Sequence, residues 1–190
     1  MNIEAGQAMM GNPALGVAGR QQDWRRSVLN DGRSIVHLSL LFEDLPAGIR
    51  AKIRLDQIAS AMDPTQAELK IWKRSFESLQ DREPCEWAMS EGNQTHVLWL
   101  AVQGQRDLSQ LMSDYVAAWM QAEGKTGSRA AVLSFDPNLD WSLRRDRVLN
   151  TMARIEKGSN TPVFVDFGNT PAAVWSARME KIACGAVPLE

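Results

Sequence analysis

Gly104, Gln105, Arg106 and Asp107 stand between an apolar run of strand length and a segment, Leu108 to Met120, whose apolar residues recur with helical spacing. A helix entered through a glycine turn presents backbone N–H groups and the positive end of its dipole, so an arginine at that turn points to a phosphate. Two other groups have the residue types for chemistry. Arg144, Arg147, Thr151 and Arg154 recur at three- and four-residue spacing, a pattern that either lays guanidinium groups along a nucleic-acid backbone or forms a solvated face balanced by Asp146 and Glu156. Asp136, Asp140 and Asp166 sit at or beyond the ends of C-terminal strand patterns, where carboxylates either hold a metal for phosphodiester cleavage or fill turns and helix caps. Gly124-Lys125-Thr126-Gly127 lacks the upstream glycine of a P-loop and follows a helix, so it reads as a flexible turn.

The elements that must position these groups follow from periodicity. Ser34 to Phe42 reads as a strand and Glu43 to Gly48 as a turn. Ile49, Ala51, Ile53 and Leu55 alternate with Arg50, Lys52 and Arg54, the period of a second strand with one wet face. Asp63, Pro64 and Gln66 form a capping signal for a helix carrying Leu69, Trp72, Phe76 and Leu79, and Asp81 to Asn93 reads as an irregular connection. His96 to Val102 predicts a central strand. The next helix shows Leu108, Leu111, Met112, Tyr115, Val116, Trp119 and Met120 on one stripe, with Asp107 and Gln110 as its cap. Glu123 to Ser128 reads as a linker. Beyond it come strands at 130–135 and 162–167, a helix after Asp140 burying Val148, Leu149, Met152 and Ile155, and a last helix from Thr170 and Pro171 burying Val174, Trp175, Met179 and Ile182. The organisation expected is a flexible leader (1–22), a core (23–122) and a C-terminal α/β extension (129–190) packed on it as one compact unit.

Composition narrows the class. A chain of 190 residues, 44% hydrophobic, with a formal charge of -2, has the make-up of an ordinary globular protein and not of a basic nucleic-acid coat. Cys85 and Cys184 are isolated, and His37 and His96 are far apart in sequence, so neither a zinc site nor a disulfide framework is expected. The seven tryptophans fall mostly on apolar positions of helices and strands, which favours core packing over base stacking. No apolar run reaches the ~18 residues of a membrane span.

Residues 49–120 resemble the N-terminal domain of ParB-type partition proteins and their sulfiredoxin relatives. In that superfamily a strand leads through a leucine-aspartate-x-isoleucine turn to a helix, and a later apolar strand ends in a Gly-Glu-Arg-Arg box. Leu55, Asp56, Gln57 and Ile58 match the turn, and Gly104 to Asp107 occupy the box, with Gln105 and Asp107 in place of its glutamate and second arginine. Size and layout are similar to the plasmid fertility-inhibition proteins of this superfamily.

The resemblance implies an α/β fold with a mixed sheet flanked by helices. It also implies a cytoplasmic bacterial factor with ATPase and DNase activity, which blocks DNA transfer through a type IV secretion or conjugation system. Gly104, Gln105 and Arg106 would then bind ATP, with Gln105 orienting water, and Asp107 would either cap its helix or hold Mg²⁺ beside the phosphates. Arg144, Arg147 and Arg154 would hold DNA. Partners would be a coupling ATPase or a transferred DNA–protein complex. The alternative is a non-catalytic module of the same fold that docks on that machinery.

Overall fold

In the computed structural model the residues described are 33–81, 83–90, 92–104, 106–122, 128–138 and 144–185. Five strands, β1 (Ser34–Phe42), β2 (Ala67–Ser75), β3 (Val97–Ala101), β4 (Ala130–Ser134) and β5 (Val163–Asp166), form one sheet in the order β2-β1-β3-β4-β5. Helices α1 (Leu45–Ala61), α2 (Pro84–Met89), α3 (Gln110–Gln121), α4 (Arg144–Glu156) and α5 (Ala172–Ala183) connect or follow them, with short 3-10 turns at 77–79 and 92–94. Every neighbouring strand pair is parallel, which corrects the expected mixed sheet. The physical reason is that each strand is followed by a helix that returns the chain to the same end of the sheet.

Two expected elements are exchanged. Residues 49–55 are not a strand but lie inside α1, and the stretch carrying Leu69 and Trp72 is not a helix but β2. The period-two pattern misleads because Ala47, Ala51, Leu55 and Ile58 are the buried set, a helical stripe, while Ile49 and Ile53 face outward. Asp44 caps this helix, its carboxylate accepting from the Ala47 amide at 2.8 Å, and Pro46 suits its first turn. Asp63 caps no helix. Its carboxylate accepts from the amide and hydroxyl of Thr65 (2.8 and 2.7 Å), a local turn that launches β2. Leu55 to Ile58, the turn in the superfamily pattern, are therefore helical residues of α1.

The remaining elements fall close to expectation, with differences of detail. Residues 81–93 contain α2, and Val174 is 40% exposed and not buried. β3 is buried along its whole length at the centre of the sheet. Val97, Trp99 and Ala101 pack under α1 and α5, whereas Leu98 and Leu100 pack against α3, α4 and the buried Trp87 of α2. Trp87, Trp99, Trp119 and Trp175 are all core side chains. Arg129, at the start of β4, is buried against Trp119 and donates to the carbonyls of Gly92, Trp119 and Ala122 at 2.7 to 2.9 Å. Desolvation lowers its pKa to about 10, so the guanidinium stays charged at neutral pH and ties the end of α3 and the 92–94 turn to the start of β4. No helix among the described residues is long and apolar enough to cross a membrane.

Candidate functional site

A parallel sheet of this strand order places its crevice at the carboxyl ends of β1 and β3, where successive connections leave in opposite directions. Glu43, Asp44, Gln103 and Gly104 lie there. The Gln103 amide N–H donates to Glu43 Oε2 (2.8 Å), and its side-chain amide donates to Asp44 (3.0 Å). Arg50 of α1 reaches Gln103 Oε1 at 3.3 Å. Two carboxylates therefore face the switch point, and one already caps the α1 amides. This is the wrong charge for a phosphate cradle.

α1 lies above this edge and divides it into two concave surfaces. On one flank a cleft of about 190 Å³ is lined by Arg50, Arg54, Gln57, Ser134, Phe135 and Asp166, among others. Its charges are matched internally. Arg54 meets the fully buried Asp166 through Nε (3.0 Å) and Nη2 (3.3 Å) and also donates to the Thr170 carbonyl. Asp166 further accepts from Trp175 Nε1 (3.1 Å) and the Gly168 amide (3.3 Å). Arg50 pairs with Asp136 at 3.3 Å.

On the other flank a wider groove of about 600 Å³ runs between α1 and the end of edge strand β2. Leu45, Ile49 and Ile53, one helical turn apart, form its apolar wall and are 69%, 52% and 55% exposed. Lys52 and Lys73 add positive charge, and no carboxylate is among the described residues that line it. Lys52 also pairs with Asp56 on α1.

The residues singled out in the sequence are distributed differently. Gly104 adopts the left-handed conformation (φ 77°) expected of the turn. Arg106 and Asp107 are exposed in the loop before α3, and Gln105 lies outside the described residues. Ser109, not Asp107, caps α3, its hydroxyl accepting from the Met112 amide at 3.2 Å. The Asp107 carboxylate instead faces Arg147 of α4 at 3.3 Å, so a proposed catalytic group and a proposed DNA contact meet as an exposed ion pair. Arg154 is exposed further along α4, while the side chain of Arg144 is outside the described residues. Asp136 and Asp166 do close the ends of β4 and β5, but each is matched by an arginine of α1. Asp140, the 124–127 turn and the leader lie outside the described residues.

Arg50, Arg54 and Gln103 are site residues the sequence pattern did not bring forward. The signal was present: Glu43-Asp44-Leu45-Pro46 is a helix start, and a helix places Arg50 and Arg54 on one face.

The fold and its edge define an α/β protein built on a doubly wound, five-stranded parallel sheet. No protein-family model matches the chain, and no curated protein matches it. Among solved structures it is similar to a flavodoxin of Streptococcus pneumoniae TIGR4, at 15% identity over 79% of this chain and 97% of that one, with a TM-score of 0.41.

Proposed function

We propose that this protein is a docking module that receives an acidic amphipathic helix in the groove between α1 and β2. The observation that carries this reading is the exposed Leu45, Ile49 and Ile53 stripe beside Lys52 and Lys73. Three large aliphatic side chains over about 12 Å of α1 give an apolar wall long enough to receive the i, i+4 anchors of a docked helix, and the basic rim selects an acidic partner. Water-exposed apolar surface of this kind is stabilised by being covered.

This is the non-catalytic form of the fertility-inhibition reading, with the acidic helix belonging to the transfer machinery. The nucleotide-hydrolysis form rests on the Gly104–Asp107 segment alone. Support for docking comes from the groove's shape and charge.

The test is fluorescence anisotropy of a labelled peptide helix with a leucine stripe and glutamates elsewhere. Saturable binding is expected, weakened about tenfold or more by Ile49→Asp, whose exposed position leaves the fold intact. A lysine-for-glutamate version of the peptide should not bind. Equal binding of both peptides, an unchanged Ile49→Asp affinity, or preference for anionic vesicles over the acidic peptide would each defeat the reading. In a conjugation-inhibition assay, Ile49→Asp should lose the block and Arg106→Ala should keep it.

A further inference from the structure

β2 ends the sheet beyond β1, and among the described residues no strand pairs with its outer side. It runs for nine residues without a proline, whereas β5 at the other edge has four. Its ladder to β1 fixes which backbone groups are used. The Ser34 amide donates to the Gln66 carbonyl (3.0 Å) and the Phe76 amide to the Phe42 carbonyl (2.9 Å), so the even-numbered residues of this stretch turn their N–H and C=O groups inward. Those of Leu69, Ile71 and Lys73 point outward, and no backbone hydrogen bond to another described residue takes them. An edge of this kind is a template for another strand.

The side chains sort by the same alternation. Leu69 and Ile71 pack against the core under α1, and Lys73 follows on their face. Lys70 and Trp72 stand on the other face. Trp72 is 41% exposed, yet its indole is held in place by stacking on His37 (4.9 Å between centroids, 13° between planes), which stacks in turn on His96 (5.6 Å, 15°).

From this edge we infer that two copies of the chain join by antiparallel pairing of β2 with β2, with Ile71 on the two-fold axis, to make one continuous sheet. Only the odd-numbered residues have backbone groups to exchange, so odd must meet odd. Ile71 then faces Ile71 of the second copy and Leu69 faces its Lys73, each pair exchanging both N–H···O bonds. Between them Lys70 comes opposite Trp72 of the second copy, an ammonium beside an exposed indole. Charge and apolar contact select this register. Sliding one step toward the start of the strand sets Lys70 against Lys70, and one step the other way parts the isoleucines and sets each against Lys73. Lysines on an edge guard it when they meet one another, and here no two stand directly opposite. The edge is thus complementary to itself, as the isologous interface of a homodimer requires. The inference rests on the backbone of β2 and not on the docking groove.

The experiment is sedimentation equilibrium of the full chain up to about 100 µM, with cysteine trapping to read the register. A dimer is expected in the micromolar range. Ile71→Lys, which sets two lysines face to face on the axis, should weaken it about tenfold or more. Trapping uses a Cys85→Ala, Cys184→Ser background, which removes both native thiols. There Ile71→Cys should form a covalent dimer with a mild oxidant, because its α-carbon lies about 5.5 Å from the same position in the second copy. Lys73→Cys, about 14 Å from its counterpart, should not. The inference is overturned if the chain stays monomeric at about 100 µM, if Ile71→Lys, folded by circular dichroism, dimerises as the parent does, or if Lys73→Cys cross-links as readily as Ile71→Cys. Should Ile71→Lys fail to fold, the trapping pair decides alone.

Discussion

Asp166 is the side chain on which the carboxyl edge depends. It is fully buried, yet both oxygens are satisfied: Arg54 donates to each, and Trp175 and the Gly168 amide add to Oδ1. Such a pair contributes little net stability over an apolar replacement, but breaking it strands a charge in a dry site. Arg54→Met should therefore lower unfolding free energy by about 3–5 kcal/mol, measured by urea denaturation, and adding Asp166→Asn should recover part of the loss. An additive double mutant would show that the two residues act separately. Asp166 was visible as a strand-end carboxylate, but its role was not. Sequence carries the residue type and its local position, whereas the arginine that neutralises it stands 112 positions away and meets it only through the fold.

At the scale of elements, α1 decides what the protein offers its surroundings. Read as a strand, residues 49–55 would bury Ile49 and Ile53 with Ala51 and Leu55. As a helix they divide, with Ala51 and Leu55 in the core and Ile49 and Ile53 in the open groove. The cap at Asp44 helps set this choice. Asp44→Ala removes the acceptor of the Ala47 amide and of the Gln103 side chain, and should cost about 1 kcal/mol or somewhat more. Hydrogen exchange should show faster opening of the first turn of α1 while β3 keeps its protection. An unchanged first turn would mean that packing alone holds the helix. The exchange of elements over residues 49–79 has two sources. Ile49, Ala51, Ile53 and Leu55 sit at spacing two and four and satisfy both periods. Leu69, Trp72, Phe76 and Leu79, at spacing three and four, imitate a helical stripe across a strand and the turn after it, and only the partner surface chooses. By contrast, the stripe of α3 is long enough to admit one period, and β3 is apolar on every residue because both faces are covered.

For the whole molecule, the two histidines couple stability to acidity. Burial, with the neighbouring His37 and Arg129, lowers the His96 pKa from 6.5 to about 4, while the unfolded chain titrates near the ordinary value. Between those values the unfolded state binds more protons than the folded one, so protons favour unfolding. Stability should be complete above about pH 7 and fall by ~3 kcal/mol as pH drops through 6.5 toward 4, with His37 adding in the same direction. The check is melting temperature against pH for the parent and His96→Gln. The variant's curve should be flatter over that window, and parallel curves would exclude His96 as the source.

By itself the chain determined what depends on neighbours in sequence: an α/β alternation, a central apolar strand, a glycine turn after it and a long amphipathic α3. Local hydrophobic period and backbone preference act over a few residues, so a sequence records them directly. Only tertiary structure decided that every strand runs parallel, that α1 is a helix with an exposed aliphatic flank, and that Asp107 meets Arg147. The same holds for the stack of Trp72, His37 and His96. Each is a contact between distant segments, and its energy exists only once the sheet has brought them together.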